Sequence, residues 1–137
     1  MQYALASQDY QRFIIDARDS LNLATTHQAF TVVQSVLWVF RRRLQAEQAI
    51  RFAQFLPPVL AAMFLQDWDP RQAAGPFLSR EEHDREVRSV RPDHNFSSAN
   101  AVETIAAVLR RHVRAAELDR LLTTFSTEAL QFWRSAE

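Results

Sequence analysis

The sequence predicts an all-α fold, a bundle of about eight helices made from two related four-helix repeats. Three observations carry this. The 137-residue chain holds a single Gly, whereas hairpins, bulges and phosphate-cradling loops all draw on Gly. Apolar residues recur three and four positions apart, the spacing of one face of a helix. Sliding the chain against itself by 69 positions superposes much of its two halves without a gap.

The first helix is expected after Ser7, which can cap it, with Tyr10, Phe13, Ile14, Ala17 and Leu21 as its apolar stripe. Thr25 or Thr26 caps a second helix carrying Phe30, Val33, Val36, Leu37, Phe40 and Leu44, flanked by Val32 and Val39. A stripe that wide predicts a central helix, covered on more than one side. A third runs from about Ala46 to Leu56 and stops at Pro57, which disfavours helix in the residue before it. Pro58 then opens a fourth helix with Val59, Leu60, Met63 and Phe64. Ser79 and Glu82 form a capping box for a polar fifth helix that offers His83, Val87 and Val90 to a core. After a loop from Arg91 to Phe96, Ser97 or Ser98 caps a sixth helix with Val102, Ile105, Ala106, Leu109 and Val113. A seventh covers about Ala115 to Thr124, and an eighth starts after Ser126.

The 69-residue offset places Val33 on Val102, Val36 on Ile105, Phe40 on Leu109 and Leu44 on Val113. It also aligns Arg41 and Arg42 with Arg110 and Arg111, and the break at Pro57-Pro58 with Ser126-Thr127. Two similar amphipathic helices would explain the apolar matches alone; the aligned Arg pair and the shared break favour duplication. The chain therefore reads as one domain over 1–137, with repeat one at 7–69, a connector at 70–76 and repeat two at 77–134. Neither half can bury its central helix alone, so the second and sixth helices are expected to pack together about a pseudo-twofold axis.

Composition narrows the function classes. Hydrophobic residues at 47% and charged residues at 23% give a globular balance. Sixteen basic and sixteen acidic residues cancel, which argues against a partner recognised by bulk charge, such as duplex DNA or an anionic membrane. Every basic residue is Arg. The absence of Cys excludes disulfides and thiolate chemistry. Met1 to Leu5 has no basic stretch leading into an apolar core, so no signal peptide is expected. The longest uncharged apolar run, Phe55 to Leu65, is interrupted by Pro57 and Pro58 and falls short of the roughly 20 residues that span a bilayer. A cytoplasmic protein without membrane partners is the expectation.

The residues from Val36-Leu37 through Arg43-Leu44 to Ala46-Glu47, then Phe55-Leu56-Pro57 and Asp67-Trp68, carry a family likeness. They resemble the bacterial group catalogued as domain of unknown function 2267, with its Leu-Pro and Gly-Trp landmarks. A weaker second copy follows in Ala101 to Trp133, so the likeness covers nearly the whole chain. The chain departs from the pattern at Asp67, where Gly is usual, and at Phe125-Ser126, where a second Leu-Pro is usual. The resemblance implies an all-helical repeat fold and assigns no activity, cofactor or partner.

Several residues are candidates for function. His83 and Glu86 can share a helix face with Glu82, but a metal site needs further ligands converging from other helices. His27 is expected at an exposed helix start, His94 in a loop, and His112, which aligns with Arg43, at a rim. Asp16, Asp19, Glu81 and Glu82 sit at helix ends or on polar faces, without the convergence that acid–base catalysis requires. No catalytic, metal or cofactor site is therefore expected, and an enzyme or metal-binding bundle is the least favoured class. Arg42, Arg110, Arg111 and Arg114 make a candidate basic spot for weak nucleic-acid binding, against the bland reading of solubilising helix ends. The favoured class is a non-catalytic interaction or assembly module, meeting a protein partner or a second copy. Its candidate surface comprises Trp38, Phe64, Trp68 and Trp133, residue types that are equally at home in a core.

Overall fold

Eight α-helices and no strand occur among the described residues of the computed structural model, which are 2–91 and 99–136. They are α1 (Gln2–Ser20), α2 (Thr26–Arg41), α3 (Ala46–Phe55), α4 (Pro58–Leu65), α5 (Arg80–Val90), α6 (Ala101–His112), α7 (Ala115–Thr123) and α8 (Thr127–Phe132). No helix among them is long and apolar enough to cross a membrane.

The predicted element order holds, with shifts at the ends. α1 starts at Gln2 and not after Ser7, because Gln2, Ala4, Leu5 and Ala6 are good helix formers and Ser7 is carried inside the helix, exposed. The third helix ends at Phe55, leaving Leu56 extended ahead of Pro57. Thr25 caps α2 in a reciprocal box with Gln28, and Ser126 caps α8 by accepting from the Ala129 amide. Ser79 accepts from the Glu82 amide as expected, but the Glu82 carboxylate takes its bond from the Ser79 hydroxyl rather than from the Ser79 amide. Ser97 and Ser98, expected to cap α6, lie outside the described residues, as do His94 and most of the expected loop. Asn100 holds the cap position, and its side chain makes no capping bond to the first turn. The α6 N-terminus is satisfied instead by Asp84 of α5, whose Oδ1 accepts from the Val102 amide at 3.0 Å.

α2 and α6 form the centre. α2 packs on α1, α4, α5 and α6, and α6 packs on α1, α2, α5, α7 and α8. From Thr31 to Phe40 only Trp38 is less than fully buried, so α2 is enclosed on nearly all sides. α6 buries Ala101, Val102 and the whole run Ile105 to Leu109. The buried apolar residues form one cluster, reaching from Phe13 on α1 to Trp133 beyond α8. Its aromatic heart is Phe40, with the rings of Phe52, Phe132 and Trp133 centred 4.9, 5.0 and 5.4 Å away. α3 and α7 begin at Ala46 and Ala115, and α4 and α8 at Pro58 and Thr127, so each pair starts at the 69-residue offset found in the sequence.

Among the described residues two take left-handed backbone angles, Asn22 at φ 57° and Asp67 at φ 56°. Asn22 closes α1: its amide reaches Asp19 O at 3.1 Å and the Leu23 amide reaches Arg18 O at 2.9 Å, the paired bonds of a Schellman motif. Asp67 ends α4 at the point where the resembled family has Gly, the residue with no steric penalty there.

Two changes probe this framework. Phe40→Ala should cost about 3–5 kcal/mol in urea unfolding, a large part of the stability of an ordinary domain. Asp67→Gly should raise stability by roughly 0.5–1 kcal/mol, and Asp67→Val should lower it by at least about 1 kcal/mol, both read from the urea midpoint at unchanged slope.

Candidate functional site

The last carbonyls of a helix have no partner within it. α4 is eight residues long and ends over α2, and three α2 side chains serve that end. Trp38 Nε1 donates to Met63 O at 3.1 Å, Gln34 Nε2 reaches the same oxygen at 3.3 Å, and Arg41 donates to Phe64 O at 2.7 Å and Gln66 O at 2.8 Å. Gln34 also donates to Gln66 Oε1 at 2.8 Å and accepts from Arg91 at 2.6 Å. The guanidinium carbons of Arg41 and Arg91 lie 5.3 and 5.2 Å from the Trp38 ring centre, within cation–π range. Burial, then the neighbouring charge of Arg42, pushes the Arg41 guanidinium down from its ordinary pKa, while Asp67 opposes the shift.

Of the expected surface tryptophans, Trp38 and Trp68 are half-buried and reach the surface. Phe64 and Trp133 are 0% exposed. They belong to the core, which corrects their candidacy as contact residues: their side chains point from the ends of α4 and α8 into the aromatic cluster around Phe40 and Phe52. Trp68 shares a shallow depression with Arg41, Arg42, Leu44 and Gln72, and Leu65 beside it is 37% exposed. Trp38, Arg41, Leu65, Trp68 and Arg91 thus gather around the end of α4.

The basic spot resolves into ion pairs. Arg42 bonds Glu86 at 2.9 Å and Arg43 bonds the other oxygen of that carboxylate. Arg111 bonds Asp16 at 2.9 and 3.0 Å, and His112 Nε2 lies 2.8 Å from the same group. Arg42 and Arg43 stand at the 69-residue offset from Arg111 and His112. Two consecutive residues at the end of each central helix therefore clasp one carboxylate: α2 holds Glu86 of α5, and α6 holds Asp16 of α1. Arg110 grips Asp119 through two bonds of 2.8 and 2.7 Å, and exposed Arg114 meets Glu117 at 3.4 Å. All four arginines of the spot thus face a carboxylate, which leaves less charge for phosphates than a bare patch would.

The bond from Arg111, helped by those from His112 and Ser20, holds Asp16 down to about 2 against the opposing effect of burial. Since that carboxylate is an ionised acceptor, His112 Nε2 carries the hydrogen of their contact. Burial raises the Glu86 pKa, and the bonds from Arg43 and Arg42 more than reverse this, so it ends below its ordinary value. Asp119 is lowered by Arg110, which is raised in turn. The expected rim position of His112 and exposed position of His27 agree with the structure.

Larger hollows lie away from the α4 end. One, of about 440 Å³, runs between α1, the start of α4 and the turn after α6, with Tyr10, Phe13, Leu60 and Val113 among its walls and Arg12 and His112 at its edge. Burial raises the Tyr10 hydroxyl pKa. Another, of about 310 Å³, lies between α5 and α8 and includes His83. Among the described residues no three His, Asp or Glu side chains are grouped so as to hold a metal ion.

Fold and site together define an all-helical bundle whose two central helices are clasped to their neighbours by guanidinium–carboxylate pairs. The model of the uncharacterised conserved protein family DUF2267 matches residues 10–132, and the chain belongs to that family. None of the curated proteins compared with the chain gives a significant match.

The lowered Asp16 pKa sets a pH dependence. A depressed folded-state value contributes stability that is fully present above the unfolded value, near 4, and is lost as pH falls toward about 2. With solvent screening at this rim, the contribution amounts to about 1 kcal/mol. Asp16→Asn should therefore be less stable than wild type by about that amount at neutral pH. In urea titrations across pH the gap should close near pH 2.

Proposed function

We propose that the chain is a non-catalytic protein-interaction or assembly module, and that the face around Trp38, Leu65 and Trp68 is where it meets a protein surface, in the simplest case a second copy. One observation carries the reading. The half-buried Trp38 indole and two guanidinium groups are held together in a fixed arrangement by bonds to the α4 end and to Gln34, with the half-buried Trp68 beside Arg41. Trp and Arg are the residue types that most often anchor interfaces, and anchors already locked in place lose less entropy on docking. The clasped carboxylates add support, since ionised groups with depressed pKa values are poor proton donors or acceptors near neutrality. Nucleic-acid binding through Arg42, Arg110, Arg111 and Arg114 is the weaker alternative, because each already faces an acid.

The two halves, 7–69 and 77–134, are read as a duplicated unit related by a pseudo-twofold axis, within one cytoplasmic domain over 1–137. The matched helix starts and the paired clasps support that reading.

Leu65→Arg tests the face without touching the core. Wild type should sediment with a mass that rises with concentration, and the variant should weaken association by about tenfold or more. A wild-type monomer independent of concentration would reject self-assembly.

A further inference from the structure

Two buried donors on residues that line the cleft between α5 and α8 find no acceptor among the described residues. His83 is 4% exposed, and its Nε2 accepts from the Leu78 amide at 3.0 Å. In the neutral ring that bond assigns the hydrogen to Nδ1, which is buried and unpaired. Burial, followed by the charge of Arg43, lowers the His83 pKa, so the ring is neutral at neutral pH. Three residues earlier, Arg80 donates one Nη2 to Gln131 O at 3.0 Å and Arg134 O at 3.1 Å, while its Nη1 is buried without a partner. Positions three apart share a helix face, and both residues line the same hollow of about 310 Å³. Its walls are aromatic: the rings of Phe132 and Phe77 are centred 5.2 and 6.1 Å from that of His83. A buried donor left unpaired is costly, and natural proteins rarely keep two in one place without something to accept from them.

We propose that this cleft binds a carboxylate, whose oxygens accept from His83 Nδ1 and Arg80 Nη1 while its attached apolar group lies between Phe77 and Phe132. One guanidinium beside a neutral imidazole suits a planar, singly charged anion better than a doubly charged phosphate. The start of α5 adds the positive end of its dipole. Of the nearby acids, Glu82 is held by the Ser79 hydroxyl at 2.9 Å, and Glu128 lines the cleft and opposes the ligand. The volume suits a compact molecule, near the lower limit of ordinary ligand sites. Neither Trp38 nor Trp68 takes part, so this site stands or falls apart from the interaction face.

The test is a titration of the full ¹⁵N-labelled chain with sodium benzoate, reading the imidazole resonances of His83. A saturable downfield shift of the His83 Nδ1 hydrogen is expected, with His27 and His112 unmoved. Benzamide, the uncharged counterpart, and sodium chloride at equal ionic strength should leave it in place. Arg80→Gln should weaken benzoate binding at least about tenfold, and Glu128→Gln should tighten it a few-fold. A short peptide with a free C-terminus that binds more tightly than benzoate, and loses binding when amidated, identifies a chain end as the source. Benzoate binding without peptide binding identifies a small molecule. No His83 shift with benzoate or peptide overturns the proposal. So does an equal shift with benzamide, or unchanged affinity in a folded Arg80→Gln protein. The wild-type comparison of benzoate with benzamide decides the matter even if that variant does not fold.

Discussion

The enclosure of α2 is the constraint from which the rest of the molecule follows. A helix buried on nearly every face has to satisfy every polar group it carries. Thr31 bonds back to His27 O at 3.2 Å, Ser35 to Thr31 O at 2.8 Å, and Gln34 enters the network at the end of α4. Enclosure also brings other helices to an end against α2, and their unpaired backbone groups then become the responsibility of its side chains. Trp38 and Arg41 cap α4 for this reason, and the Gly75 amide closes the α2 end itself at 2.8 Å from Arg42 O.

The same economy recurs where α5 meets α6. Asp84 is buried and reaches from α5 to the start of α6, and burial raises its pKa although the Val102 amide favours the ionised form. Glu86 and Asp16 tie the flanking helices to the ends of the central pair. Each clasp joins an element of one half to an element of the other, so neither half keeps its full set of bonds alone. Coupling of this kind fixes how the helices are oriented, which apolar contact by itself leaves loosely specified.

The helices were legible in the sequence because their boundaries are set locally. Pro57-Pro58, Thr25, Ser79 and Ser126 act on their own neighbours, and all four mark real helix starts or stops. The width of the α2 stripe also foretold its central position. Contacts between distant residues were not legible. Asp84 looks like one more acid on a polar helix, and nothing near it in the chain announces an amide 18 residues away. The aligned arginines were the one signal of the clasps, but their carboxylate partners do not align with each other and so gave no trace. Phe64 and Trp133 were ambiguous for a related reason: a large aromatic near a helix end faces inward or outward depending on what stands beside it. Gly75 does not take a left-handed angle, and among the described residues those angles fall on Asn22 and Asp67.

The arginines in these clasps carry guanidinium charges, and the chain has no Lys. An ammonium begins to surrender its proton about two units below the point where a guanidinium does. Alkaline solution that would loosen lysine clasps therefore leaves these guanidinium clasps charged and fastened.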